Sequence, residues 1–209
     1  MRAATTHLRS TCPILAAHIK RVGPCRLEVE QDRDPYQALV SAIAYQQLHG
    51  NAARAILGRF VALHPDSPFP TPQQVLSTSD AAMRACGFSA NKTLAIRDIA
   101  AKAAEGVVPT RRAATRLSDA ALIERLTTIR GVGRWTVEML LIFTLGRKDI
   151  LPVDDFGVRE GYRLLYDLQA QPKPREMAAL GEAWAPYRSF ASWYLWRAAD
   201  AGKTVKQPG

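Results

Sequence analysis

The stretch IRGVGRWTVEML, residues 129–140, sets two glycines around one valine and runs straight into an amphipathic segment. Upstream, SDAALIERLTTI carries apolar residues at helical spacing; downstream, RWTVEMLLIF does the same. The whole therefore reads as helix, glycine hairpin, helix. Gly131 and Gly133 let the backbone turn sharply and let a ligand approach without a Cβ in the way. The second helix presents unpaired N–H groups and the positive end of its dipole, which suits a phosphate. A plain corner between two helices would use the same tripeptide, so both readings stand at this point.

Working outward, helical periodicity dominates and strand alternation is nearly absent. PYQALVSAIAYQQ (35–47) and NAARAILGRFVAL (51–63) each gather apolar residues on one face, separated only by LHG. PDSPFPTP (65–72) holds four of the 13 prolines and is irregular. Two short helices are expected before Gly87, a longer one over 89–106, and one from Ser118. The hairpin's second helix is expected to span 134–145, and the next about 154–166. Two more follow prolines near the end, VVPTRRAATR is a basic loop, and the tail GKTVKQPG is expected to fray. The expectation is an all-α fold of about ten helices, with no repeat of fixed period.

Composition narrows the function. The chain has 209 residues, 47% of them apolar, which is enough for a core and too much for disorder. No apolar run approaches a membrane span, and MRAATTHLRSTCPILAAHIKRVGPC lacks a signal-peptide layout, so no membrane association and a cytoplasmic location are expected. Cys12, Cys25 and Cys86 form no CxxC pair, so neither zinc nor an iron–sulfur cluster is expected and buried free thiols are. A net charge of +9 favours a polyanionic partner.

At IRGVGRWT the chain resembles the helix–hairpin–helix DNA glycosylases, with Arg130 in place of the common proline. GRKDILPVDDFGVR supplies the loop and aspartate that follow the hairpin in that superfamily. AIAYQQLHGNAA, FPTPQQVLSTSDAAMRACGFSANKTLAIRDIA and WAPYRSFASWYLW resemble one branch, the alkylbase glycosylases (DNA-3-methyladenine glycosylase II). The match covers about 35–200. It implies one glycosylase unit over 1–209, built of two helical lobes with a cleft between them and without the N-terminal β-rich domain of some members.

The resemblance also implies a chemistry. Removing a base from deoxyribose builds positive charge on the sugar, which a desolvated carboxylate stabilises while orienting or deprotonating water. It places that carboxylate at Asp155, with Asp154 as the rival; either could instead cap the following helix, and Asp154 is expected to cap it or to support the catalyst from behind. Glycosylases that also cut the backbone carry a lysine where Trp135 stands, so a monofunctional enzyme is implied. Trp135, Phe156, Trp196 and Tyr45 correspond to the base pocket, where electron-rich rings attract the cationic base of 3-methyladenine or 7-methylguanine type. Trp184 and Trp193 are left to packing, and Met139 stands where some relatives have tyrosine. Gly131, Gly133, Arg134 and Thr136 are implied to contact DNA, together with Gln46, Gln47 and Leu48 at the wedge that fills the gap of the flipped nucleotide. The carbonyls of Thr127, Ile129 and Val132 are implied to hold a monovalent cation, Na or K. The partner implied is double-stranded DNA containing alkylated bases, bound by a monomer at the nucleoid, or in the nucleus of a eukaryote. A non-catalytic DNA-binding module and a glycosylase for deaminated bases are the alternatives.

Overall fold

Prolines and hydroxyl or carboxylate caps start most of the helices. The computed structural model describes residues 1–205, and it is helical throughout, with thirteen α-helices and no strand among those residues. The chain divides into two compact units, one made of 1–29 with 146–209 and the other of 30–145.

The first unit opens with α1 (Arg2–Thr11) and α2 (Pro13–Val22), which were not expected from the sequence. Each offers only a short apolar stripe. Pro13 presets the first turn of α2, and Cys12 caps it by accepting the Leu15 N–H at 3.3 Å. Leu8, Leu15 and Ile19 are buried with Val158, Met177, Tyr194 and Leu195 from the far end of the chain. Each such aliphatic burial contributes about 1.5–3 kcal/mol.

The second unit holds α3 (Pro35–Tyr45), α4 (Gly50–Ala62), α5 (Pro72–Ser77), α6 (Asp80–Ala85), α7 (Ala90–Ala104), α8 (Arg111–Ala114), α9 (Asp119–Leu126) and α10 (Arg134–Met139). Asp34, Thr71, Ser79, Ser89, Thr110 and Ser118 each cap their helix through the side chain. The core is Leu39, Ile43, Phe60, Ile96, Ile99, Leu122, Leu126 and Leu141, all sealed from solvent. The basic loop contains one turn of helix, α8, because Thr110 caps it. Arg111 there donates to the carbonyls of Glu30 and Arg33.

The helix expected over 134–145 is not α-helical throughout. After Met139 it continues as a π-helical turn, Leu140–Thr144, closed by the Leu145 N–H on the Leu140 carbonyl at 3.0 Å. Within this turn the Phe143 carbonyl accepts the Glu30 N–H at 2.8 Å, so one backbone group is turned outward to anchor the incoming chain.

Back in the first unit come α11 (Phe156–Leu165), α12 (Pro174–Leu180) and α13 (Arg188–Val205). Gly157 and Gly161, one helical turn apart on α11, let it lie against α13. A Cβ on Gly161 would overlap the Leu195 carbonyl, and one on Gly157 would come within 2.8 Å of the Trp196 ring. Of the tail expected to fray, residues 202–205 continue α13, and 206–209 lie outside the described residues.

Candidate active site

The hairpin joins α9 to α10, and its two glycines have different reasons to be there. Gly131 has φ +77°, a conformation costly for any other residue, and a Cβ on it would crowd Ala95 and Ile43 at 3.2 and 3.3 Å. Gly133 has φ −88°, and a Cβ there would meet nothing within 4 Å. Neither backbone nor packing within the protein requires glycine at 133. The turn is closed by the Val132 N–H on the Ile129 carbonyl at 3.1 Å, with both side chains buried. Among the described residues, the Thr127 and Val132 carbonyls accept no hydrogen bond, and Ile129 keeps a second lone pair. The three carbonyls therefore fit a monovalent cation chemically.

Arg134 and Thr136 do not both face outward. The exposed Arg134 guanidinium pairs at 2.8 Å with Glu138, a carboxylate otherwise buried one turn along. Thr136 is buried at 5% exposure and its side chain lines a cavity, so what it offers outward at the start of α10 is its backbone N–H. The reason is helical phase: one position beyond the exposed Trp135, the chain already turns toward the core. That cavity, about 390 Å³, lies within the second unit and is lined by Ser41, Tyr45, Thr136, Met139, Phe143 and others.

Tyr45 ends α3, and Gln46, Gln47 and Leu48, the segment expected to act as the wedge, follow. Gln47 has φ +56°, one of two non-glycine residues with positive φ among the described residues. Left-handed backbone at glutamine is uncommon and costs energy, so the surroundings must hold it. Gln47 and Leu48 are exposed, whereas Gln46 turns back and donates its amide to the Gly131 carbonyl at 3.1 Å. Its side chain is committed to the hairpin, and Gln47 and Leu48 are the ones offered outward.

The carboxylate is built on the first unit. Asp155 lies one residue before α11 with extended backbone, so it is itself the N-cap, accepting the Val158 N–H on Oδ1 at 2.8 Å. The same oxygen accepts Trp196 Nε1–H at 2.8 Å. Asp155 is 9% exposed, while Asp154 is exposed and makes no side-chain hydrogen bond among the described residues. The expected division of labour, with Asp154 as cap, is therefore corrected. Helix α11 begins at Phe156, so the capping geometry falls on Asp155.

The aromatics separate cleanly. Trp135, Phe156 and Tyr45 are 45%, 64% and 39% exposed, unusual for large rings. Trp184 and Trp193 are buried. Trp196 is half-buried against the core, its indole N–H spent on Asp155.

One clamp escaped the sequence reading. Arg188 grips Asp149 with two bonds of 2.7 Å, and this holds the Asp149 carboxyl below the usual carboxylate range. The fully buried Ser189 donates to the Arg147 carbonyl and accepts the Ile150 N–H. Together they fix the loop 147–150 that leads to Asp155. The signal was the Arg-Ser pair in PYRSF, read only as part of a motif.

Helix–hairpin–helix, capped carboxylate and exposed aromatics coincide with a known family, since the description "HhH-GPD superfamily base excision DNA repair protein" matches residues 40–186. The chain belongs to this superfamily. DNA-3-methyladenine glycosylase 1 of Schizosaccharomyces pombe is 45% identical over 192 residues, covering 90% of this chain and 84% of the relative. Among solved structures, a S. pombe 3-methyladenine DNA glycosylase in complex with abasic DNA has TM-score 0.85 and 43% identity, covering 93% of this chain and 95% of that one. A DNA-3-methyladenine glycosidase from Bacillus halodurans has TM-score 0.85 at 33% identity, covering 96% and 91%. These relatives of the superfamily carry the names of the alkylbase branch indicated by the motifs.

Gly133 supplies a clean test of the hairpin. Gly133→Asp is expected to weaken binding to every duplex about tenfold or more, with or without a lesion, because carboxylate would face phosphate. Folding is expected to be unaffected or slightly improved, since aspartate is a good N-cap and its Cβ meets open space. Normal binding of undamaged DNA in a salt titration would reduce the hairpin to a structural corner.

Proposed function

We propose that this protein is a monofunctional DNA glycosylase that hydrolyses the N-glycosidic bond of alkylated purines in duplex DNA, acting as a monomer in base excision repair. The observation that carries the reading is Asp155, buried beside α11 with one oxygen fixed by two N–H donors. A carboxylate so held keeps its position while the sugar gains positive charge, so little reorganisation is needed at the transition state. It also suits orienting or deprotonating water for attack at C1′. Relatives named as 3-methyladenine glycosylases support the substrate class.

An N-alkylated purine carries its own positive charge, which weakens the glycosidic bond and attracts electron-rich rings. Trp135, Phe156 and Tyr45 stand exposed on their own units, in keeping with recognition of such a base. The hairpin N–H groups hold phosphate, and a cation on the Thr127, Ile129 and Val132 carbonyls would add positive charge there. Gln47 and Leu48 fill the space of the extruded nucleotide.

The absence of lyase chemistry rests on Trp135, since an indole cannot attack C1′. The test is turnover of duplexes carrying 3-methyladenine, 7-methylguanine, uracil or hypoxanthine, with borohydride added to trap any Schiff base. The expected result is release of the alkylated purines, no covalent adduct, and strand cleavage only after alkali or heat. Preferential release of uracil or hypoxanthine would overturn the substrate class. An adduct lost in a Lys→Ala variant would overturn monofunctionality.

A further inference from the structure

The wedge segment needs an explanation for its geometry, because a left-handed glutamine next to a helix end does not hold itself. Helix α7 supplies it. Lys92, in its first turn, sends Nζ to the carbonyls of Ala44 at 2.9 Å and Gln46 at 2.7 Å. These two carbonyls flank Tyr45 at the end of α3, where carbonyls lack intrahelical partners and carry the negative end of the dipole. The ammonium is half-buried, and burial lowers its pKa from the ordinary lysine value, so its contacts are made at some desolvation cost. Six residues on, Asp98 of the same helix accepts the Arg130 N–H at 2.7 Å, a bond that the more common proline at 130 could not make. Gln46 closes the frame through its amide bond to the Gly131 carbonyl.

We propose that Lys92 is a positioning residue for base extrusion: from α7 it pins the backbone before Gln47, so that Gln47 and Leu48 stand at a fixed offset from the phosphate-binding hairpin. This inference rests on the glycosylase reading. Lys92 touches neither the base nor the sugar in this role. It acts by setting where the wedge is when the hairpin has engaged the backbone, and the left-handed Gln47 is the conformation it maintains. Without it, two carbonyls at the end of α3 must find water, and the turn is free to relax to right-handed backbone.

The test compares Lys92→Met with Lys92→Arg in single-turnover release of 7-methylguanine from two duplexes. In one the lesion is paired with cytosine; in the other it lies opposite an abasic site, where extrusion is already cheap. Lys92→Met is expected to release base about tenfold more slowly from the paired duplex and within twofold of the unaltered protein from the abasic one. Lys92→Arg, which keeps the donors, is expected to recover most of the loss. Equal losses on both duplexes, or none on either, would overturn the proposal. If the unaltered protein releases 7-methylguanine from neither, the functional reading fails instead.

Discussion

Asp155→Asn is expected to slow base release by at least about a hundredfold while DNA affinity stays equal or rises. The asparagine side-chain oxygen still accepts from Val158 N–H and Trp196 Nε1–H, so the cap and the indole contact survive. What disappears is the negative charge that, on the proposed function, faces the developing positive charge of the sugar. Removing an anion from a DNA-binding protein also removes a repulsion, which sets the sign of the affinity change. Single-turnover kinetics beside a binding titration separate the two effects. Asp154→Asn is the control, and it is expected to change release less than threefold, in keeping with its exposed position. Comparable rates for Asp155→Asn and the unaltered protein would remove Asp155 from the chemistry.

Gly161→Ala is expected to be the most damaging small substitution for stability. Its methyl group would occupy the place of the Leu195 carbonyl, and backbone cannot swing aside as a side chain can. Helices α11 and α13 would have to separate, at a cost of about 3 kcal/mol or more. For a chain of this size that lowers Tm by roughly 6–12 °C. Gly58→Ala, on α4 with nothing within 4 Å of its Cβ, is the matched control. It is expected to stabilise by up to about 1 kcal/mol, because alanine is the better helix former. Thermal unfolding of both variants decides the matter, and equal Tm values would mean that α11 and α13 do not pack as closely as described.

Most of the helices were readable because their apolar residues recur at helical spacing and hydroxyl caps mark their starts, as at Ser89 and Ser118. The readable features are local in sequence. What escaped depends on distance or on phase. The Trp196 bond to Asp155 and the Arg188–Asp149 clamp join residues about forty positions apart, and no periodic pattern announces them. The π turn at Leu140–Thr144 differs from an α-helix by one residue in its hydrogen bonding, which an apolar run such as LLIF hides. The burial of the Thr136 side chain beside the exposed Trp135 is likewise a matter of phase, since each helical step rotates the side chain by about 100°. The N-terminal helices were missed because ten-residue segments with short stripes gain their stability from the partners they pack against.

Because 30–145 form a unit of their own while the other unit is assembled from 1–29 and 146–209, ribosomal synthesis does not deliver the two together. The inserted unit is complete once residue 145 has left the exit tunnel. The leading pair of helices, with Leu8, Leu15 and Ile19 prepared for burial, then still awaits Tyr194 and Leu195. At elongation speeds of about 5–20 residues per second, that wait of about fifty residues lasts roughly 2.5–10 seconds. A nascent chain stalled in this window exposes a greasy N-terminal arm to holdase chaperones and proteases, and premature termination yields the hairpin-bearing segment 30–145 without the segment that carries Asp155.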